Sequence, residues 1–318
     1  MSPDNATEFA PSTLILIGIP GLTDFHIWFA APVTAMYIFT LLGNCILLLT
    51  IITVMTLHKP MYLFISQLAL SDLAVSSCIF PKILSIFWFN AGEIIHSACL
   101  GQMFFIHYFL VLESSIFSSM AFDRYVAVCN PLRYAAILTN SLIAKLAVAC
   151  LVRAFVLILP IPLLVLRLPL CARYIAHTFC ENMAVAKLSC VDISLNGMYA
   201  LTIAIVIYTV DIFCIALSYT LILRTILRLQ SKDRFKAFST CGAHICVMTA
   251  FYAPILFSLV LHRLQHNIPL YAHVTLSNAY LLFPPFINPL IFGITMKAVQ
   301  QGALQFLKEQ IARIRSCF

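Results

Sequence analysis

The sequence predicts an all-α membrane protein, in which a bundle of seven transmembrane helices is followed by a short amphipathic helix. The 318 residues are 62% hydrophobic and 10% charged, and a soluble domain of this size could not cover so much apolar surface. Several apolar runs reach the roughly 20 residues that cross a bilayer core. Basic residues concentrate in the short connections between these runs, as in membrane proteins with a defined topology.

The predicted spans are apolar segments bounded by polar or charged residues. They cover residues 27–54, 61–89, 100–128, 142–165, 197–223, 237–261 and 272–294, and an amphipathic segment follows at 297–315. Prolines within or beside these spans are expected to kink the helices, because neighbouring groups in a membrane bundle can satisfy the freed carbonyls. The chain is thus divided into an N-terminal tail (1–26), a seven-helix domain (27–295) and a C-terminal helix and tail (296–318).

The distribution of basic residues predicts an outside N-terminus and a cytoplasmic C-terminus. Of the 19 Lys and Arg residues, 13 lie on the side that carries the C-terminal tail: Lys59, Arg124, Arg133, Lys145, Arg224, Arg228, Lys232, Arg234, Lys236, Lys297, Lys308, Arg313 and Arg315. The glycosylation sequon at Asn5 agrees, because its acceptor must face the lumen. Residues 1–10 lack the pattern of a cleavable signal peptide, so the first span is expected to target the chain. We interpret the net charge of +7 as a topology signal and expect no nucleic-acid partner.

Polar residues in the middle of the spans indicate a polar core. Asn44, Asp72, Glu113 and Asn288, the last followed by Pro289, belong to four different spans. Carboxylates are costly in lipid, so these side chains should face inward, either as polar contacts between helices or around a collapsible cavity. Two close carboxylates favour either a bound sodium ion or one protonated acid. We predict a sodium-sensitive equilibrium that involves Asp72 and Glu113.

Two helix faces are candidates for a ligand site near the outer side. Steps of three and four residues from Tyr252 in the sixth span reach Leu256, Leu259 and Arg263. Arg263 is either an anchor at the membrane surface or the partner of an anionic group, since guanidinium binds carboxylate with two parallel hydrogen bonds. On the third span, His107 is either a packed structural residue or a hydrogen-bonding group for the same ligand.

Four cysteines, Cys99, Cys171, Cys180 and Cys190, fall on the predicted outer side. Disulfides are permitted there, and four cysteines allow three connectivities that spacing cannot distinguish. Metal binding is the alternative for this group.

An acid and a base stand side by side where the third span ends, within the string Ser119-Met-Ala-Phe-Asp-Arg-Tyr-Val-Ala-Val-Cys-Asn-Pro-Leu-Arg-Tyr134. A charged pair at this boundary is either a surface anchor or part of a mechanism. Further strings are Leu57-His-Lys-Pro-Met-Tyr-Leu-Phe64, Ser218-Tyr219, Lys236-Ala-Phe-Ser-Thr-Cys241 with His244, and Pro285-Phe-Ile-Asn-Pro-Leu-Ile-Phe292. Together they resemble the olfactory receptors, which are rhodopsin-like G-protein-coupled receptors. The Leu57 string, the long second outer loop and His262-Arg263 resemble the class I, or fish-like, branch.

The sequence departs from the rhodopsin-like pattern at two places. Phe292 stands where the family usually has a tyrosine, so a hydroxyl is missing from the activation relay. Phe251-Tyr252 replaces the tryptophan that other rhodopsin-like receptors carry before Pro254, as is usual in olfactory receptors.

The resemblance implies the disulfides Cys99–Cys180 and Cys171–Cys190, plasma-membrane localisation, no enzymatic activity and no cofactor beyond an allosteric sodium ion. It also implies that Asp123 holds Arg124 at rest. On activation Pro254 would act as a hinge, and Arg124 would meet Tyr219 and a G protein of the stimulatory, olfactory type, which raises cyclic AMP. The expected coupling residues are Asp123, Arg124, Tyr125, Tyr219, Lys236, His244, Pro254, Asn288 and Pro289.

The class I branch is associated with water-soluble odorants, including carboxylic acids, so the expected ligand is a small amphiphile with its acid head at Arg263 and His107. Its chain would lie against Phe104, Val111, Ile203, Ile207, Tyr252, Leu256, Leu259 and Leu281, with Asn278 as a further contact. Three other classes compete with this hypothesis. An intramembrane enzyme could use Asp72 and Glu113 as a dyad, but His107 and His244 are too isolated in the sequence to form a persuasive metal site. A different rhodopsin-like receptor would bind a peptide or an amine, but no acid stands between Cys99 and Leu112 to hold an amine. An ion-coupled transporter would use Asp72 and Glu113 as an ion path and would not require the Asp123 string.

Overall fold

The computed structural model describes residues 12–228, 231–264 and 269–316; the side chains at 231–240, 259–264, 307, 309, 310 and 312–316 are outside this description. Seven long helical segments run back and forth: α1 (His26–Thr53), α2 (Pro60–Phe89), α3 (His96–Cys129), α5 (Asn140–Ile158) continued by α6 (Pro160–Leu166), α8 (Ser194–Ile226), α9 (Ser231–Leu264) and α10 (Leu270–Thr295). Two short helices, α4 (Tyr134–Ile137) and α7 (Asn182–Ala186), lie in connecting loops. Helix α11 (Lys297–Ser316) ends the described chain.

The helical bundle confirms the predicted fold class. By length and composition, six helical segments of the described chain can cross a membrane, and a seventh qualifies when α10 is taken with residues 297–306 across a bend of 97°. Prolines and asparagines in α10 dilute its apolar character, which is why this span is the least evident. The ends of the predicted spans lie within six residues of the ends of the helices. The agreement is good because the length of an apolar run is the strongest signal in a membrane sequence.

Helix α3 is the most enclosed of the spans, with 67% of its apolar window buried, whereas α8 has 11% buried and faces outward along most of its length. A helix surrounded by others can carry inward serines and carboxylates that lipid would not tolerate. This explains why Glu113, Ser114, Ser115 and Asp123, all on α3, are buried. The candidate functional residues are organised around this central helix.

Helix α10 continues through Pro284, Pro285 and Pro289. Pro289 has no N–H, so the carbonyl of residue 285, four positions earlier, loses its helical donor. The amide of Asn44 on α1 replaces that donor, with Nδ2 at 2.8 Å from the Pro285 carbonyl oxygen. A polar side chain from one helix thus stabilises the proline-containing turn of another.

The outer face carries a small β-sheet that the sequence analysis did not predict. Strand β1 (Thr13–Leu16) lies between β2 (Glu93–Ile95), which is antiparallel to it, and β3 (Tyr174–Ile175), which is parallel. Leu14 and Leu16 of the central strand are buried. The strands have two to four residues each and pair over long sequence separations, so no local alternation reveals them.

Two disulfides hold the second outer loop. Cys180 is joined to Cys99 at the start of α3, and Cys171 is joined to Cys190 within the loop. This pairing is the one implied by the family resemblance. Gln102 adds to the first link by accepting a hydrogen bond from the backbone N–H of Cys180 at 2.9 Å.

Candidate functional site

Asp72 lies at the centre of the predicted polar core. It is fully buried on α2, and both of its oxygens accept from the amide of Asn288 on α10, at 3.0 and 3.2 Å. The neighbouring Ser71 donates to Glu113 on α3 at 3.1 Å. The carbonyl oxygens of the Asn44 and Asn288 side chains have no partner within the described residues.

These unpaired oxygens bear on the expected sodium ion. Hard cations take oxygen ligands, and two carboxylates with two free amide oxygens form a suitable donor set. The described residues contain no group of three or more His, Cys, Asp or Glu side chains that could hold a metal ion, so the core does not resemble a transition-metal site. The oxygen donors present are of the kind that a hard cation such as sodium would use.

A second polar network, absent from the sequence analysis, connects four helices. Arg153 on α5 pairs with Asp211 on α8, with Nη1 at 2.8 Å from Oδ1 and Nη2 at 3.2 Å from Oδ2. Nη1 also donates to Ser115 of α3 at 2.9 Å. The side chain of Asp211 is 3% exposed and that of Arg153 is 30% exposed. The pair could have been suspected, because each charge interrupts an otherwise apolar span and intramembrane charges mark functional positions.

The same network reaches α9 through Tyr252. Ser114 donates to Asp211 Oδ2 at 2.5 Å, and its oxygen lies 2.8 Å from the hydroxyl of Tyr252. Since Ser114 has a single proton and gives it to the carboxylate, Tyr252 is the donor to Ser114. Tyr252 stands two residues before Pro254, so the network ends beside the predicted hinge.

Several of the predicted pocket residues are buried in the bundle. Val111, Ile207, Tyr252 and Leu281 are buried, and Ile203 is half-buried. Leu256 is less enclosed than the predicted inward face requires, with 39% of its surface exposed. Phe104 stacks on Tyr108 and meets Phe155 edge-on, with ring centroids 5.6 and 5.9 Å away, so it packs between α3 and α5.

The proposed head-group residues are only partly described. His107 is half-buried, and its Nδ1 lies 2.8 Å from the Met103 carbonyl oxygen, which makes Nδ1 the donor and leaves Nε2 as an acceptor in the neutral ring. The side chains of Leu259 and Arg263 lie outside the described residues, as do the side chain of Lys236 and the whole of Asn5.

Asn278 on α10 is buried and already bonded. Its Oδ1 accepts from the hydroxyl of Thr178 in the second outer loop at 2.5 Å. This contact ties the loop to α10, while the Cys99–Cys180 disulfide ties the same loop to α3. Asn278 thus contributes to the lid of the predicted pocket.

At the end of the bundle that is predicted to be cytoplasmic, Asp123 and a tyrosine fix the position of Arg124. Its guanidinium bonds Asp123 through Nε at 2.8 Å and through Nη2. The other oxygen of Asp123 accepts from the Tyr134 hydroxyl at 2.7 Å. Tyr219 of α8 and His244 of α9 lie within electrostatic reach of Arg124.

Tyr219 and His244 are buried or half-buried without hydrogen bonds. The Tyr219 hydroxyl and both ring nitrogens of His244 have no partner within the described residues. His244 instead meets the Phe292 ring edge-on at 6.3 Å. Tyr125 packs beside Tyr219 in a small apolar cluster with Ile222 and Cys241.

Comparison with known proteins supports the resemblance over the full length. A sequence model described as olfactory receptor matches residues 33–310. The chain is 48% identical to olfactory receptor 52P1 of Homo sapiens over 307 residues, which cover 96% of each chain. It is 45% identical to olfactory receptor 52N2 of Homo sapiens over 310 residues, or 96% of this chain and 97% of the relative. It is 44% identical to olfactory receptor 51E2 of Mus musculus over 306 residues, or 96% of each.

These matches and the apolar helices fit a multi-pass plasma-membrane protein that is a receptor and not an enzyme. The chain belongs to the olfactory receptor family of rhodopsin-like G-protein-coupled receptors.

Proposed function

We propose that this chain is an odorant-activated receptor for carboxylic acids or similar small amphiphiles, and that it signals through a stimulatory G protein to cyclic AMP. One observation carries the receptor mechanism: Arg124 is held by Asp123, while the nearby Tyr219 and His244 have polar atoms with no hydrogen-bond partner among the described side chains. A buried polar atom without a partner costs about 1–3 kcal/mol. In a second conformation, Arg124 would leave Asp123 and form hydrogen bonds with these groups, which would recover that cost. The free-energy difference between the resting conformation and this second one is therefore small enough for a ligand to shift.

The ligand shifts this equilibrium by binding the active arrangement more tightly than the resting one. In our proposal its chain lies against the apolar wall near Tyr252, where each buried methylene contributes about 0.8 kcal/mol. Its acid head meets Arg263 and His107. An acid that pairs with a guanidinium through two hydrogen bonds is held more specifically than an alcohol of the same length.

Tyr252 is the proposed point of transmission. Its hydroxyl belongs to the network of Ser114, Asp211 and Arg153, so a ligand that displaces the ring acts on hydrogen bonds among α3, α5, α8 and α9. Pro254 follows within the same helix and lowers the cost of bending there. The cytoplasmic end of α9, with Lys236 and His244, would then move away from α3 and admit the G protein.

Two further features belong to this proposal. Sodium would bind at Asp72 and Glu113 and favour the resting arrangement. The N-terminus, with its glycan acceptor Asn5, would face outside, because most basic residues lie at the opposite end.

The decisive experiment is a cyclic AMP reporter assay in transfected cells with straight-chain carboxylic acids of increasing length and the matching alcohols. We expect the acids to be more potent than the alcohols. We expect the Arg263→Ala variant to lose at least roughly tenfold in acid potency, the equivalent of 1.4 kcal/mol. The neighbouring His262→Ala variant is the matched control and should respond normally.

Surface expression of each variant is measured in the same cells. An Arg263→Ala receptor that reaches the surface and responds fully to acids would refute the head-group assignment. A receptor that never stimulates nucleotide exchange on a G protein in lipid bilayers, yet passes solute across them, would refute the receptor mechanism in favour of a transporter.

A further inference from the structure

The N-terminal segment of the described chain forms a continuous series of backbone hydrogen bonds with the outer loops and the start of α1. We name residues 13–19 the N-terminal clasp; it consists of β1 and the turn that follows. The amides of Ile15, Leu16 and Ile17 donate to the carbonyls of Arg173, Gly92 and Ile175, at 2.7, 2.9 and 3.0 Å. The clasp therefore bridges the first and second outer loops, and the loops lose that connection if it detaches.

The turn of the clasp sits between two buried histidines. The amide of Ile19 donates to Nε2 of His26 at 3.1 Å, and the amide of Gly18 donates to the carbonyl oxygen of His177 at 3.2 Å. His26 is 4% exposed and His177 is 2% exposed. Gly18 has a φ of +80°, and a Cβ there would lie 2.3 Å from Cε1 of His26, so the backbone is seated directly on that ring.

Both rings must be uncharged in this arrangement. Nε2 of His26 accepts a hydrogen bond from an N–H, so it carries no proton, and a proton there would remove the acceptor. Neither ring nitrogen of His177 has a hydrogen-bond partner within the described residues. A charged imidazole in such a place would be desolvated without compensation, which is strongly unfavourable.

We propose that the N-terminal clasp is an acid-released strap, in which proton uptake by His26 and His177 detaches β1 from the two outer loops. The second outer loop then keeps its two disulfides and its hydrogen bonds to Gln102 and Asn278, but it loses its link to the first outer loop through β1. This device requires no odorant and no G protein, so it stands apart from the proposed ligand and coupling.

The sign of the effect follows from burial. Desolvation lowers the pKa of His177 from 6.5 to about 4, with Glu181 opposing the change and His273 adding to it. A released, hydrated ring would titrate near its ordinary pKa, so the released form binds more protons below that pH. The clasp is fully stable above about pH 6.5 and loses stability as the pH falls toward 4.

Other charges near the clasp do not account for this window. The titratable groups around it are Asp24 beside His26, Glu181 and His273 beside His177, and Lys82, Glu93, His96 and Arg173 along the sheet. Carboxylates keep their charge down to about pH 4–5, and Lys and Arg keep theirs throughout. Among these side-chain types only histidine has an ordinary pKa between neutral pH and about pH 5, which makes His96 and His273 the necessary controls.

The test is hydrogen–deuterium exchange of the purified full-length receptor in lipid nanodiscs, at about pH 7.4 and about pH 5. The protection factor of each amide at residues 15–19 is the intrinsic exchange rate divided by the observed rate at the same pH. Comparing protection factors therefore removes the intrinsic effect of pH on exchange. From His177 alone we expect protection to fall by roughly 25-fold at the lower pH, and by more if His26 contributes. Amides in the middle of α3 should keep their protection.

The double variant His26→Gln, His177→Phe should remove the acid effect. Glutamine retains an acceptor for Ile19, and phenylalanine retains the volume of a ring that makes no hydrogen bond. The single variants His96→Gln and His273→Gln should keep most of the acid response, with a modest reduction in His273→Gln because His273 adds to the lowering of the His177 pKa. Wild-type protection that is equal at both pH values would overturn the proposal whatever the variants do. So would a double variant as acid-sensitive as wild type, or loss of the response in either control.

Discussion

The Arg153–Asp211 pair allows the sharpest test of how the bundle is held together. Removing one member of a buried ion pair leaves the other uncompensated and costs about 3–5 kcal/mol, whereas replacing both is often nearly neutral. Asp211 is the more enclosed member, since its side chain is 3% exposed against 30% for Arg153. The two possible single substitutions should therefore differ in cost.

Arg153→Met leaves the Asp211 carboxylate with Ser114 as its only remaining donor among the partners described. We expect this variant to lose about 3–5 kcal/mol. Asp211→Asn should lose less, because the amide oxygen still accepts from Arg153. The double variant should lie within about 1 kcal/mol of wild type, which gives a coupling free energy of at least about 2 kcal/mol between the two positions.

The measurement is thermal unfolding of the purified receptor, followed by intrinsic tryptophan fluorescence. At about 2 °C per kcal/mol for a chain longer than 250 residues, Arg153→Met should lower the midpoint by about 6–10 °C. Lys145→Met is the matched control, because Lys145 is an exposed cation on the same helix. A double variant whose loss equals the sum of the single losses would refute the reasoning, as would an Arg153→Met variant no less stable than the control.

Two further predictions concern the switch and the core. Tyr134→Phe removes the 2.7 Å hydrogen bond to Asp123. A hydrogen bond to a charged group is worth about 1.5–3 kcal/mol, so basal cyclic AMP signalling should rise by roughly tenfold or more. An unchanged basal level at equal surface expression would count against a holding role for Tyr134. Asp72→Asn should abolish the dependence of agonist-stimulated nucleotide exchange on sodium concentration, and a variant with wild-type signalling and wild-type sodium dependence would dismiss the ion site.

The architecture was largely predictable because each membrane-spanning helix corresponds to a long apolar run in the sequence. Apolar runs of sufficient length identified every long helix, and their basic flanks suggested a topology. The split between α5 and α6 at Pro160 was expected only as a kink, since a proline within an apolar run does not reveal whether the helix bends or ends. The outer sheet was not predictable, because β1 pairs with residues some 80 and 160 positions later.

The site was predictable in part. Asp72, Glu113 and Asn288 were selected as mid-span polar residues, and the structure brings Asp72 and Asn288 into contact. Arg153 and Asp211 are also charged residues within apolar spans, but their pairing is not evident from the sequence. The two residues are 58 positions apart, and no local pattern indicates that they are in contact. The activation residues were predicted from the family resemblance. The same resemblance predicted the disulfide pairing, which the spacing of the cysteines could not determine.

The central position of β1 in the outer sheet has a consequence for how the chain is made. The segment is synthesised first, but its last partner, β3, emerges about 160 residues later, which at roughly 5–20 residues per second is a delay on the order of ten to thirty seconds. Until β3 emerges, the amides of Ile15 and Ile17 lack the acceptors that they have in the folded protein, and in the topology that we propose they face the lumen. Assistance in the endoplasmic reticulum that shields this strand until the second outer loop arrives would raise the yield of mature receptor, and slower elongation through α2–α6 would lower it.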